Sequence, residues 1–178
     1  MQIQYNEINS RSCVPDESEV RRKYESITRY LIEHRITVTA MESCTSGQIA
    51  SLLTDTEGSS AIFKGSLVTY SNEAKIMYGV SEDIIRKYGV YSAQTASEMA
   101  RVCRNLMKSD IGIGITGSFG NKDPENDDSI PGEIYFAFND ARRIGQYHCK
   151  LPDQPSRFLY KLYTAGVAAD QLTAFLSS

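Results

Sequence analysis

Histidine is scarce in this sequence, with only His34 and His148 in 178 residues, and neither adjoins a stretch that looks built to hold a nucleophile. A serine or cysteine nucleophile usually relies on a histidine base, so any such chemistry here needs another partner. The four cysteines, Cys13, Cys44, Cys103 and Cys149, are scattered and form no CxxC pair, which argues against a zinc knuckle or a disulfide framework and for free thiols. Nineteen Lys and Arg stand against 22 Asp and Glu, and no basic stripe or tail is present, so the footprint of a nucleic-acid binder is missing. No apolar run approaches the roughly 20 residues of a membrane-spanning helix, and Met1 to Asp16 lacks the apolar core of a signal peptide. A cytoplasmic protein is expected, with a small anionic ligand as the kind of partner that local groups could hold.

With 41% hydrophobic residues the chain can bury one good core, and no internal repeat or linker divides it. Residues 1–16 read as a polar N-terminal extension, and one domain is expected over 17–178. Val20, Tyr24, Ile27, Tyr30 and Leu31 mark the face of a first helix running to about Arg35. Strands are expected at Ile36 to Met41, Ser66 to Tyr70, Ile111 to Ile115, Glu133 to Phe138 and Ile144 to Leu151. Helices are expected at Ser46 to Thr54, Asn72 to Tyr78, Glu82 to Tyr88, Ala93 to Lys108 and Ser156 to Leu176. The alternation is that of an α/β protein, a three-layer α/β/α sandwich around a mixed, mostly parallel sheet with its site at the strand ends. Between residues 116 and 131 lies a long loop rich in Gly, Asn, Asp and Pro, of the kind that forms a partial lid.

Several groups could carry chemistry. Ser43 stands where the first strand gives way to a helix, a position that lifts a hydroxyl off the sheet edge toward the free N–H groups of the helix's first turn. Those donors and the helix dipole could stabilise an oxyanion, although Ser43, Thr45 or Ser46 could equally serve only as an N-cap. Lys75 follows Tyr70-Ser71-Asn72 by one helical turn and becomes a base if burial lowers its pKa from about 10.4. Read alone, it is an ordinary surface lysine, Tyr70 an ordinary strand tyrosine and Ser60 a turn cap. Cys44 reads as an inert buried thiol. Asp123, Glu125, Asp127 and Asp128 match no EF-hand loop and read as solvated, so no metal is expected. Arg157 and Lys161, four apart at the start of the last helix, could clamp a phosphate or simply be solvated.

Taken together, Ala40-Met41-Glu42-Ser43-Cys44-Thr45-Ser46-Gly47, Gly58-Ser59-Ser60, Val68-Thr69-Tyr70-Ser71-Asn72-Glu73-Ala74-Lys75, Gly79-Val80 and Gly114-Ile115-Thr116-Gly117 resemble the CinA C-terminal domain family in order and spacing, over about residues 17 to 176. The resemblance implies a nicotinamide mononucleotide amidohydrolase that releases nicotinate mononucleotide and ammonia in pyridine nucleotide recycling. It implies Ser43 and Lys75 as a catalytic pair with Ser60 as a competing nucleophile, Tyr70 beside them, and Thr45, Ser46, Gly47, Thr116, Gly117 and Arg157 around the substrate. No cofactor is implied, and a homo-oligomer is. Two departures stand out: Gly120 precedes Asn121 where the family continues into a Gly-Pro loop, and Pro155-Ser156-Arg157 replaces Gly-Asp-Arg. The family also occurs fused to an N-terminal nucleotide-processing domain, for which 178 residues leave no room. The rival from another class is a noncatalytic nucleotide-binding or regulatory module, which has no use for a deprotonated lysine.

Overall fold

The computed structural model describes residues 2–9 and 13–178. Six strands, β1 (Gln2–Ile8), β2 (Val38–Glu42), β3 (Phe63–Val68), β4 (Ile111–Gly117), β5 (Glu133–Asn139) and β6 (Arg143–Lys150), form one sheet in the order β1-β6-β5-β4-β2-β3. β5 runs antiparallel to both neighbours, and the remaining pairs, β1 with β6, β2 with β4 and β2 with β3, are parallel. The mixed, mostly parallel sheet is therefore as expected. Helices α1 (Glu17–His34), α2 (Gln48–Thr54) and α6 (Arg157–Leu176) pack together over one face and share the main core with the strands. α5 (Ala93–Met107) lies along the other face with α4 (Glu82–Tyr88) against it, and the short α3 (Asn72–Met77) follows β3. Among the described residues, no helix is long and apolar enough to cross a membrane.

Central strand β4 shows how an alternating pattern builds this arrangement. Ile111, Ile113 and Ile115 point into the main core, so Gly112 and Gly114 face α5 by the two-residue period of a strand. A Cβ on Gly112 would stand 2.0 Å from the carbonyl oxygen of Ala100, and one on Gly114 would stand 2.1 Å from that of Ala96. The glycines thus let the α5 backbone settle directly on the sheet, which is the close approach their presence suggested.

Within the polar N-terminal stretch, residues 2–8 form edge strand β1, in parallel register with β6. Residues 1 and 10–12 lie outside the described residues. Most side chains of β1 are exposed, so the hydrophobic pattern that announces a strand is absent. Polar ties hold it instead. His148 of β6 reaches Glu7 through one ring nitrogen and Glu133 through the other, and stacks on Tyr135 at 4.5 Å between ring centroids. That histidine is structural, and His34 is exposed and stacked on Tyr30, so neither serves as a base to the site. β3 also ends earlier than expected, at Val68, leaving Tyr70 beyond the strand.

The Gly114→Ala variant is expected to lose about 3 kcal/mol of stability, because rigid backbone on α5 must move to admit one methyl group. Urea unfolding midpoints of the two proteins test this.

Candidate active site

The site grows from the carboxyl end of β2. All five residues of that strand are buried, the last being Glu42, and the Ser43 N–H continues the sheet by donating to the Ile115 carbonyl at 3.0 Å. The chain then turns sharply through Ser46 and Gly47, both in the left-handed region with φ of 56° and 92°, before α2 begins. The buried Glu42 carboxylate reaches forward and accepts from the N–H groups of Gly47 at 3.0 Å, Ile49 at 3.1 Å and Ala50 at 2.9 Å. A carboxylate at a helix N-terminus is favoured by the dipole and by the unpaired donors together.

Glu42 therefore corrects the expectation that the first turn of α2 is open to substrate, since its donors are already taken by the protein itself. Thr45, Ser46 and Gly47 form the turn, and none of them lines the cavity described below. The N–H groups of Cys44 and Thr45 make no backbone hydrogen bond among the described residues, and they are the donors next to Ser43.

Lys75 comes from α3. Ser71 caps this helix by accepting from the Ala74 N–H at 3.1 Å, and Lys75 is its one buried residue, only 1% exposed. The surface reading of this lysine is thus overturned by its place in the fold. Its Nζ lies 3.2 Å from Ser43 Oγ and donates to the Thr69 carbonyl at 2.9 Å. Among the described residues, Lys75 makes no salt bridge. Burying an ammonium without a partner is costly, and burial lowers the Lys75 pKa to about 8 despite the opposing pull of Asp123 and Glu73. A neutral amine keeps two N–H bonds, so it can hold the Thr69 carbonyl with one while its lone pair accepts the Ser43 proton.

Ser43 and Cys44 form the floor of a cavity of about 520 Å³ lined also by Tyr70, Asn72, Tyr91, Gly117, Phe119 and Arg157, with the loop from Asn121 to Asn126 over it. At its mouth Arg157 donates to the Tyr70 hydroxyl at 3.0 Å and lies 5.7 Å from the centre of the Phe119 ring. Tyr70 is 61% exposed and engages Arg157, not the lysine or Ser43, so its place is at the entrance. The Cys44 thiol is buried and pushed up to about 12 by that burial, which makes it inert.

Two further expected members are not brought here. Ser60 sits in a single 3-10 turn, Ser59–Ala61, just before β3, at the opposite end of the strand from Tyr70 and exposed; a six-residue strand separates the two by about 20 Å. Thr116 is fully buried and donates to the Val90 carbonyl at 3.0 Å, which ties β4 to the lead-in of α5 and leaves the cavity to Gly117. In the acidic loop Glu125, Asp127 and Asp128 are exposed, as a solvated reading expects, while Asp123 is partly buried. Asp128 accepts from the Tyr91 N–H at 3.0 Å, and Asp123 from the Tyr91 hydroxyl at 2.6 Å. Tyr91, Phe119 and Asn126 escaped the sequence because only tertiary packing brings them to Ser43. Asn72 lay inside a recognised hexapeptide and donates to Asn126 at 2.7 Å.

The CinA C-terminal domain model matches residues 21–175. The chain belongs to the CinA C-terminal domain family. Within this family it is 38% identical over 130 residues to the nicotinamide-nucleotide amidohydrolase PncC of Escherichia coli K12, covering 72% of this chain and 78% of that protein. It is 33% identical over 163 residues to a CinA-like protein of Flavobacterium psychrophilum, covering 86% of this chain and 38% of the relative. Several other curated CinA relatives are matched over only about a quarter of their length. The competence/damage inducible protein CihA from Agrobacterium tumefaciens superposes with a TM-score of 0.79 at 27% identity, covering 92% of this chain and 98% of that one.

A lysine whose pKa is depressed by folding binds fewer protons in the native than in the unfolded chain between about pH 8 and pH 10.5, so stability rises with pH across that window. Lys75→Met removes the penalty. It is expected to stabilise the protein by about 2 kcal/mol at pH 6, after allowing for the lost bond to Thr69, with the gain turning into a loss of about 1 kcal/mol toward pH 10.5. Paired unfolding curves at the two pH values check the sign.

Proposed function

We propose that the chain is an amidohydrolase of nicotinamide mononucleotide in which Ser43 is the nucleophile and Lys75 its base. The observation that carries this reading is the buried, unpaired Lys75 amine at 3.2 Å from Ser43 Oγ, on a cavity floor. The family relative named as a nicotinamide-nucleotide amidohydrolase supports the choice of substrate.

Arg157, steadied by Tyr70, takes the phosphate at the cavity mouth and directs the carboxamide toward the floor. Ser43 Oγ attacks the carboxamide carbon as its proton passes to the neutral Lys75 amine. The oxygen that becomes negative is met by the Cys44 and Thr45 N–H groups. The tetrahedral adduct collapses by breaking its C–N bond, and the proton on Lys75 leaves with ammonia. An acyl ester remains on Ser43. Water then attacks that ester, gives a proton to Lys75, and the same proton returns to Ser43 Oγ as nicotinate mononucleotide departs. The ring's positive charge draws electrons from the amide and makes its carbon more electrophilic throughout.

Ammonia release from nicotinamide mononucleotide is expected to fall by roughly a thousandfold or more in Ser43→Ala and in Lys75→Ala, and to change less than about twofold in Ser60→Ala. Arg157→Ala is expected to raise KM roughly tenfold. Because Lys75 must be neutral, the parent's rate rises with pH through a limb centred near 8. Full turnover in Lys75→Ala, or an unmodified chain that binds the nucleotide without releasing ammonia, contradicts the proposal and leaves a binding module.

A further inference from the structure

The cavity over Ser43 carries charges of both signs, with Arg157 and Lys122 on its lining and Asp123 and Glu125 among the loop residues above. Asp123 is the one of these acids that is held in place. One carboxylate oxygen accepts from the Tyr91 hydroxyl and from the Asn126 side-chain amide, each at 2.6 Å, and the other accepts from the Glu125 N–H at 3.0 Å. Asn126 is tied in turn to Asn72 at the start of α3, the helix that carries Lys75. All of these donors are neutral. They fix the position of the carboxylate and favour its ionised form without cancelling its charge, and among the described residues Asp123 makes no salt bridge.

A preorganised anion on the lining of the cavity that holds Ser43, without an ion-pair partner among the described residues, is complementary to a cation. Resting on the function proposed above, we propose that Asp123 is the counter-ion for the positively charged pyridinium ring of the substrate. The arrangement then discriminates by charge at the ring, while Arg157 holds the phosphate at the mouth. Recognition and reactivity coincide in this scheme, because the ring charge that Asp123 selects is also what makes the carboxamide carbon electrophilic. A neutral ring of the same shape is predicted to be bound without help from Asp123.

The test compares oxidised nicotinamide mononucleotide with its reduced 1,4-dihydro form, which keeps the carboxamide, ribose and phosphate but loses the ring charge. Binding is measured by calorimetry on the full chain carrying Ser43→Ala to prevent turnover, with and without Asp123→Asn, beside ammonia release by the unmodified chain. Asparagine still accepts from Tyr91 and Asn126, and the reduced form reports whether the cavity is intact. Asp123→Asn is expected to weaken the oxidised nucleotide roughly fivefold, as for a partly exposed ion pair, and the reduced one by less than about twofold. Tyr91→Phe, which loosens the carboxylate but keeps its charge, is expected to weaken the oxidised form by less than Asp123→Asn does.

Equal weakening of both forms, or of neither, overturns the role of Asp123, and does so alone if the unmodified chain releases ammonia. A chain that releases none and binds neither form overturns the proposed function and the role of Asp123 together. One that releases none yet loses only the oxidised form on Asp123→Asn overturns the hydrolase and upholds the cation site.

Discussion

The buried amine of Lys75 is the interaction on which the site depends. A lysine interior to a protein is normally matched by a carboxylate, and this one is matched by a serine hydroxyl and a backbone carbonyl. Neither partner carries a charge, so the amine is relieved by giving up its proton, and its pKa falls toward 8. The penalty is carried by the rest of the fold. α3, only six residues long, contributes little core of its own and serves to bring this side chain beneath the end of β2.

Keeping the lysine unpaired places a demand on the nearest acid. Glu42 adjoins Ser43 in sequence and is fully buried, and had it turned toward Lys75 the two would have formed an ion pair with the amine locked in its charged form. The sharp turn through Ser46 and Gly47 brings the start of α2 onto the Glu42 carboxylate instead, where three backbone N–H groups absorb its charge. The helix N-terminus that seemed to be a substrate anchor thereby holds an acid that could otherwise pair with the Lys75 amine. Asp123 stands farther out, held by Tyr91 and Asn126, and its pull on Lys75 is too weak to restore the ordinary pKa.

How much of this could be read from the sequence follows from the range of each signal. The core strands and long helices were legible because their apolar periods are local, and the alternating Ile and Gly of β4 announced both a buried face and a close approach. β1 was not, since an edge strand held by Glu7 and His148 has no buried face to show. Ser43 and Lys75 were singled out by position and family resemblance, and the structure brings them together. Ser60 was carried along by the resemblance, although it precedes β3 and so lies at the end of that parallel strand opposite to Ser43 and Tyr70. Thr116 was misplaced because a strand residue's side chain can turn to the cavity or to a neighbouring loop, and its hydroxyl found Val90. The loop over the cavity departs from the family pattern, and its role emerges only when Tyr91 and Asn72 arrive from distant elements to hold it.

The central claim is that Lys75 gives up its proton near pH 8, where an ordinary lysine is still charged. Nitrogen NMR of the labelled protein, with the Lys75 side-chain resonance assigned by its loss in Lys75→Met, follows that amine directly through a pH titration. A midpoint near 8 is the result the account predicts; a side chain that stays protonated beyond pH 10 contradicts it and removes the base from Ser43.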